Sequence, residues 1–292
     1  MVELLFLIGT APMKEARLWQ GRGRLEQGQL VVGEAALPIG RGTAAMMAAA
    51  VGASEALGGE PPLCVTAGDI GAGDGTGLLY DWLVNAAADL EAATVCLHYM
   101  LPNVHRHNEF LARLAQLARP PRLLADAGFM YVAKMSGQAS RYDVFTPDLG
   151  EMAYLADEQA PHPFYTRGFL FHREDDVEEM VARAHAHGNA AQVLLVKGQT
   201  DYLCAAGRVI GTISAPSIPA LEAIGGTGDT LTGLVAALLA YGREPREACA
   251  IAARANRRAG ELADPTPATQ VAEIVAHLPQ AVAESVRGIP QP

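Results

Sequence analysis

The sequence lacks several features that mark whole classes of protein. Its four cysteines are scattered over 292 residues and form no CxxC pair, which argues against a disulfide framework or a zinc site and favours free thiols in a reducing cytosol. The net charge is −10 and no basic stripe is present, so nucleic acid is not an expected partner. HExxH and GxSxG motifs are also absent, so nothing in the sequence argues for hydrolase chemistry.

Long hydrophobic runs are missing too. The longest useful apolar run, residues 231–241, is too short to cross a bilayer. The first residues contain Glu3 instead of the basic region of a signal peptide. We therefore expect a cytoplasmic protein with no membrane partner.

Half of the residues are apolar, and many lie in short runs that alternate with helical patterns. Because these runs are continuous, they predict strands covered on both faces: residues 3–9, 29–34, 62–68, 93–100, 122–128, 143–147 and 192–198. Helices are predicted over residues 42–57, 76–90, 108–118 and 175–188, and from 228 to the end with breaks at 242–245 and 264–267. This order predicts one α/β domain over 1–292, a mostly parallel sheet between helical layers.

Two regions depart from the alternation. Residues 199–222 predict a hairpin that turns at Ala206 and Gly207, and residues 157–172, rich in proline and aromatic residues, predict an insertion or lid. Ligands of mostly parallel sheets bind beyond the carboxyl ends of the strands. Candidate site residues are therefore sought directly after each strand.

The stretch 224-IGGTGDTLTGLVAALLA-240 joins a glycine-rich turn to an apolar helix. Glycines let the backbone approach a ligand closely, and the free amides and positive dipole end of the helix suit an anion such as a phosphoryl group. Asp229 has the wrong charge for this anion, but the right one for a base that takes a proton from an attacking hydroxyl. The alternative, that Asp229 is only a helix N-cap, is about equally consistent with the local sequence.

Four segments extend the pattern: 122-RLLADAG, 144-VFTPDLGEMAYL, 193-VLLVKGQTDYL and 225-GGTGDTLTGLVAALLA. Their order and spacing resemble the ribokinase-like superfamily, and most of all its branch of NAD(P)H-hydrate dehydratases, often labelled carbohydrate kinases. The resemblance covers about residues 120–262. It implies a ribokinase-like three-layer α/β/α fold and an enzyme that uses ADP or ATP with Mg²⁺.

The resemblance also implies a role for the residues of the glycine-rich turn. Gly226, Thr227 and Gly228 would supply the amides of an anion hole, and Asp229 would be the catalytic acid/base. The adjacent Gly225 would contact the nucleotide.

Further roles follow from the other segments. Lys197 and Gly198 match a pair that borders the nucleotide, where a lysine can also neutralise phosphate. Asp126 matches the first acid of a substrate-binding Asp-Ala-Asp motif, whose second acid is replaced here by Gly128.

A metal role is implied for Glu151, which in the superfamily helps to order magnesium and its waters. Asp148 stands where Asn or His is usual, and its extra negative charge is expected to alter metal binding.

The reaction that the resemblance implies is repair of hydrated NAD(P)H, in which a nucleotide phosphorylates the ring hydroxyl and loss of phosphate restores the double bond. Two alternatives stay open: a kinase for a sugar, vitamin precursor or similar small alcohol, and a catalytically inactive nucleotide-binding protein. By analogy with the family, the chain is expected to form a homo-oligomer.

Two other motifs could bind a ligand or have only a structural role. The loop 68-GDIGAGDGTG predicts either a phosphate or substrate cradle, with Gly71 and Gly73 as contacts, or only a tight turn between strand and helix. In 105-HRH and 185-HAH the histidines are two residues apart, which turns them in different directions on a helix. These four histidines are therefore predicted to be surface residues and not metal ligands.

Overall fold

The apolar runs form the strands of one large sheet in the computed structural model, which describes residues 3–161, 176–266 and 268–287. The strands are β1 (Leu5–Ala11), β2 (Leu18–Arg22), β3 (Arg24–Glu26), β4 (Gln29–Val32), β5 (Ala35–Pro38), β6 (Leu63–Gly68), β7 (Thr94–His98), β8 (Arg122–Ala125), β9 (Val144–Phe145), β10 (Val193–Val196), β11 (Asp201–Ala205) and β12 (Arg208–Ile213). Nine of them form the large sheet, in the order β12-β11-β10-β9-β8-β7-β1-β6-β2, and β3, β4 and β5 form a separate small sheet.

The large sheet is mostly parallel. β1 lies between β6 and β7, and the strands from β7 to β10 follow in chain order, all parallel. The outer strands β2, β11 and β12 pair antiparallel. The strand order therefore reverses at β1, and the carboxyl ends of the parallel strands share one edge, where ligands of such sheets bind.

Helices cover both faces of this sheet. They are α1 (Thr43–Ala56), α2 (Asp74–Asn85), α3 (Val104–Leu114), α4 (Gly128–Met135), α5 (Leu149–Ala156), α6 (Val177–Ala186), α7 (Thr227–Ala240), α8 (Pro245–Ala263), α9 (Val271–Val275) and α10 (Leu278–Arg287). One apolar core lies between the sheet and α1 with α7 to α10, and a second lies between the sheet and α2 to α6. The predicted three-layer α/β/α architecture is confirmed.

The alanine-rich helix α1 is buried along nearly its whole length. A Cβ atom on Gly233 of α7 would lie only 2.1 Å from the carbonyl oxygen of Met46, so glycine is needed where the two helices meet. This helix contacts β1 of the sheet and also packs closely on α7. This contact places the start of α7 beside the start of α1.

Each predicted strand is present, and the hairpin turns at Ala206 and Gly207 as predicted. The sequence pattern did not predict β2, β3 and β5, which are short and partly exposed. It also did not predict α4 and α5. Of the predicted insertion, residues 162–172 lie outside the described part of the chain. None of the helices that the structure describes combines the length and apolar character that a membrane span requires.

Candidate active site

Four charged side chains meet at the carboxyl edge of the sheet. His98 is the last residue of β7, Asp126 directly follows β8, Lys197 directly follows β10, and Asp229 lies in the first turn of α7. A cavity of about 560 Å³ opens beside them, and Asp126, Lys197 and Asp229 line it. The convergence follows from the topology, because parallel strands end at the same edge.

The glycine-rich turn forms one wall of this cavity. Gly226 has a φ angle of 103°, in the left-handed region that favours glycine, and a Cβ atom there would lie 3.1 Å from the carbonyl oxygen of Gly40. The helix α7 begins at the next residue, so the amides of Thr227 and Gly228 belong to a first turn that has no intrahelical acceptors. Gly226, Thr227 and Gly228 line the cavity, in a geometry suited to an anion.

The carboxylate of Asp229 does not cap its own helix. Gly226 is the N-cap of α7, whereas Oδ2 of Asp229 accepts a 2.7 Å hydrogen bond from the N–H of Gly42, the N-cap of α1. The positive dipole ends of two helices therefore meet at this carboxylate and stabilise its negative charge. The side chain remains 13% exposed and faces the cavity, so this geometry favours the base over the N-cap alternative.

Lys197 and Asp126 form a buried ion pair. Nζ of Lys197 lies 2.9 Å from both carboxylate oxygens of Asp126, and the hydroxyl of Thr232 donates a 2.6 Å hydrogen bond to Oδ2. Burial alone would raise the pKa of Asp126, but Lys197 and His98 hold it well below its ordinary value. Nζ of Lys197 also lies 3.6 Å from the position of a Cβ atom on Gly228, so the ammonium group reaches the anion-binding turn.

His98 is a site residue that the sequence reasoning missed. Its side chain is completely buried, with Nε2 3.1 Å from Oδ1 of Asp229 and 3.5 Å from Oδ2 of Asp126, and Nδ1 3.2 Å from Oγ1 of Thr43. Burial alone would lower the pKa of His98, but contact with the two carboxylates outweighs burial and raises the pKa to about 9. The available signal was its position at the end of an apolar run, a position that Asp126 shares.

Asp148 and Glu151 form a capping box at the start of α5. The N–H of Glu151 donates to Asp148 and the N–H of Asp148 donates to Glu151, while the hydroxyl of Tyr131 donates to Oε1 of Glu151. Burial and the neighbouring charge of Asp126 raise the pKa of Glu151 to about 8. Both acids line the cavity and present oxygen atoms of the kind that Mg²⁺ prefers.

A second group has metal-ligand spacing. Ligand atoms of His98, Asp126 and Asp229 lie within 4.8 Å of one another. The ammonium group of Lys197 supplies the positive charge beside Asp126, so we treat these residues as an ion-pair cluster.

Gly198 and Gly225, both predicted to border the nucleotide, differ in their position relative to the cavity. Gly198 lines the cavity, and the guanidinium group of Arg257 donates to its carbonyl oxygen and to Asp201. Arg257 thereby fixes the turn that follows Lys197. Gly225 precedes the left-handed Gly226 and is outside the set of described residues that line the cavity.

The loop that contains Gly71 and Gly73 is already occupied by a carboxylate. Both amides donate to Oδ1 of Asp69, and the amide of Thr76 donates to Oδ2. Neither glycine is among the described residues that line the cavity. This geometry favours the tight-turn alternative, in which Asp69 fills the place that an anionic ligand would take.

Gly128, which replaces the second acid of the Asp-Ala-Asp motif, has a structural explanation. A Cβ atom at this position would lie 2.5 Å from the carbonyl oxygen of Met100, so no side chain fits without movement of the backbone. The close approach packs the start of α4 against residues 98–101, the segment that begins with His98.

The prediction of a surface position is wrong for one of the four histidines. His107 is completely buried, with Nε2 2.7 Å from the hydroxyl of Tyr142 and Nδ1 3.0 Å from the hydroxyl of Ser136. The prediction failed because it considered only the directions of neighbouring side chains, and α3 turns this one towards the core. His105, His185 and His187 are exposed, as predicted.

Comparisons with known proteins identify the family to which the chain is similar. A model of the NAD(P)H-hydrate dehydratase family matches residues 83–280. The uncharacterized protein MJ1337 of Methanocaldococcus jannaschii is 37% identical over 76% of this chain and 92% of its own length. An ADP-dependent (S)-NAD(P)H-hydrate dehydratase of Cenarchaeum symbiosum is 32% identical over 49% of this chain, and the match spans only 44% of that protein.

Solved structures support the fold alone. The ADP/ATP-dependent NAD(P)H-hydrate dehydratase from Bacillus subtilis, co-crystallized with ATP/Mg²⁺ and soaked with CoA, has a TM-score of 0.53 at 18% identity, covering 82% of this chain and 87% of that one. Phosphofructokinase-2 from Escherichia coli in complex with potassium also scores 0.53 at 13% identity, covering 94% and 99%. The ribokinase-like fold expected from the sequence is confirmed.

Proposed function

The chain belongs to the NAD(P)H-hydrate dehydratase family, and on this premise we propose that it repairs hydrated NAD(P)H by nucleotide-dependent phosphoryl transfer followed by elimination. The observation that carries the proposal is the position of Asp229. Its carboxylate borders the cavity at the first turn of α7, one residue after the glycine-rich amides. An anion-binding turn and a base are thus adjacent, as transfer of a phosphoryl group to a hydroxyl requires.

The first step places the terminal phosphoryl group of the nucleotide at the start of α7. The amides of Gly226, Thr227 and Gly228 stabilise the negative charge that spreads over the phosphoryl oxygens. The ammonium group of Lys197 adds positive charge beside Gly228. These groups are held in place by the fold, so little reorganisation accompanies the reaction.

Asp229 acts as the base. The substrate hydroxyl oxygen forms a bond to the terminal phosphorus while the bond from phosphorus to the nucleotide's bridging oxygen breaks, and the hydroxyl proton passes to Asp229. In the second step the carbon–oxygen bond of the phosphorylated ring breaks, phosphate leaves, and loss of a proton from the neighbouring carbon restores the double bond. Phosphorylation makes the departing oxygen a better leaving group than hydroxide.

We propose ADP as the phosphoryl donor, because two of the similar dehydratases are named as ADP-dependent; ATP is the alternative. For magnesium, Asp148 and Glu151 are the residues that would hold the ion, and buried Glu151, without an ion-pair partner among the described residues, suits a bound cation. Bound Mg²⁺ would neutralise charge on the phosphate oxygens. A cytoplasmic location agrees with four free cysteines, and the homo-oligomer stays a prediction.

The test is an assay with purified protein, hydrated NADH and either ADP or ATP. We expect the near-ultraviolet absorbance of NADH to return only when a nucleotide and Mg²⁺ are present, with one phosphate released for each NADH restored. No return of absorbance, together with phosphorylation of a sugar or vitamin precursor, would replace this proposal by the kinase alternative. Failure of both reactions, with nucleotide binding kept, would favour an inactive nucleotide-binding protein.

A further inference from the structure

The environment of His98 differs from that of an ordinary buried histidine. Its ring lies between the carboxylates of Asp229 and Asp126, at 3.1 Å and 3.5 Å from Nε2. Neither oxygen is aligned closely enough to complete a hydrogen bond in the part of the chain that the structure describes. Both oxygens nevertheless lie within ion-pair distance, and these contacts place a basic ring directly against the proposed catalytic base.

We propose that His98 is a positioning residue, a buried imidazolium ion that compensates the charge of the Asp229 carboxylate and holds this carboxylate oriented to accept a proton. The inference rests on the proposed function, because it concerns Asp229 as the base of that reaction. It extends the proposal by assigning a role to a residue outside the motifs that carry the family resemblance.

The two carboxylates beside His98 require a second positive charge in addition to that of Lys197. Asp126 approaches the ring from the end of β8 and Asp229 from α7, while Lys197, which directly follows β10, pairs with Asp126. Lys197 places its ammonium group 2.9 Å from both oxygens of Asp126 and is thereby committed to that carboxylate. Without charge on His98, the cluster would carry one uncompensated negative charge in a largely buried site.

The other neighbours are compatible with a charged ring. The hydroxyl of Thr43, at the start of α1, lies 3.2 Å from Nδ1 and can accept a hydrogen bond from a protonated nitrogen. Tyr99 presents its ring at 4.6 Å from the His98 ring, and Glu151 lies farther away on α5. The pKa of His98, raised to about 9 by Asp126 and Asp229, agrees with a ring that is charged at neutral pH.

The fold makes room for this contact at a specific glycine. A Cβ atom on Gly9 of β1 would lie 2.3 Å from the carbonyl oxygen of His98 and 2.7 Å from Oγ1 of Thr43. Glycine at this position lets the start of α1 approach the end of β7. The same approach brings the N–H of Gly42 to Oδ2 of Asp229, so the amide and the imidazolium fix the two oxygens of one carboxylate.

The first test follows the protonation of His98 by ¹⁵N NMR of histidine-labelled protein, without substrate. We expect the ring to stay doubly protonated through neutral pH and to titrate near pH 9, and we expect Asp229→Asn to move this midpoint down by at least about one pH unit. A midpoint near the ordinary value of 6.5, or one that Asp229→Asn leaves unchanged, would overturn the proposal. Because no turnover is measured, this result is independent of whether the proposed dehydratase reaction is correct.

The second test compares His98→Gln with His107→Gln, which alters a histidine on α3 that is as completely buried as His98. We expect His98→Gln to lower kcat by about tenfold to a hundredfold with little change in the KM for nucleotide. The variant should also lack the alkaline limb of kcat/KM, along which wild type loses activity as His98 loses its proton near pH 9. His107→Gln should leave that limb in place. Equal limbs in the two variants would reduce His98 to a structural residue, and if His98→Gln does not fold, the NMR midpoints decide.

Discussion

Two histidines that are equally buried lie in very different surroundings. His98 ends β7 at the carboxyl edge of the sheet, between two carboxylates, and its pKa is raised to about 9. His107 lies on α3 in the core of the opposite layer, beside Tyr142 and Phe129. There, burial first and the charge of Arg141 second lower its pKa to about 4.

The difference shows that burial alone does not determine protonation. In the core around His107, hydroxyl groups satisfy a neutral ring, and none of the described residues places a carboxylate within ion-pair distance of it. At the sheet edge, the strand ends and helix starts bring charged groups together, and His98, Asp126, Lys197 and Asp229 each have an opposite charge within ion-pair distance. We infer that the molecule separates a region built for packing from a region built to hold charge.

The comparison of the two histidines predicts its largest effect in the pH dependence of the free energy of unfolding. Each of the two pKa shifts corresponds to on the order of 3 kcal/mol of unfolding free energy. For His98, whose pKa is higher in the folded state, the stabilisation is complete below pH 6.5 and is lost as the pH rises through about 9. For His107, whose pKa is lower when folded, stability is lost as the pH falls from 6.5 towards about 4.

Urea unfolding of wild type, His98→Gln and His107→Gln over this pH range separates the two contributions. The stability advantage of wild type over His98→Gln should shrink as the pH rises, and its advantage over His107→Gln should shrink as the pH falls. Parallel curves for the two variants would mean that both rings carry the same charge and that the comparison is wrong.

A smaller effect is expected at the boundary between the two regions. Gly128→Ala introduces a Cβ atom 2.5 Å from the carbonyl oxygen of Met100, so α4 or residues 98–101 must shift, at a cost of roughly 1–3 kcal/mol. The shift would also displace His98 and reduce activity. The matched control is Gly77→Ala in α2, where a Cβ atom meets nothing within 4 Å, and which should stabilise the helix by up to about 1 kcal/mol. Thermal unfolding and an activity assay of both variants check this pair, and a neutral Gly128→Ala would contradict it.

Much of the fold was predictable because its elements have strong local signals. Continuous apolar runs predicted the parallel strands, and the family resemblance selected Asp126 and Lys197, which directly follow β8 and β10 and line the cavity. The glycine-rich turn also predicted where α7 begins, because glycines that precede an apolar helix are a local signal in the sequence. The short strands β2, β3 and β5 lack such a signal, because their stability depends on neighbours elsewhere in the chain.

What the sequence did not predict depends on tertiary contacts. The hydrogen bond from the N–H of Gly42 to Asp229 joins residues far apart in the chain, so the sequence left the N-cap alternative for Asp229 open. His98 ends an apolar run and His107 lies in a helical segment, but only the packed structure shows that the first contacts carboxylates and the second contacts hydroxyl groups. At Gly71 and Gly73, a local glycine pattern suggested a ligand, but Asp69 takes the amides.

The central claim is that Asp229 takes the proton of the hydroxyl that attacks the phosphoryl group, and Asp229→Asn tests it most directly. Measured with hydrated NADH and ADP, kcat should fall by a factor of about 10²–10⁴, while the Kd for ADP by calorimetry changes by less than about threefold. Asp143→Asn is the control, because this largely buried acid binds the amide of Leu123, outside the cavity, and should keep its activity. If Asp229→Asn retained a kcat within about threefold of wild type, the carboxylate would not be the base.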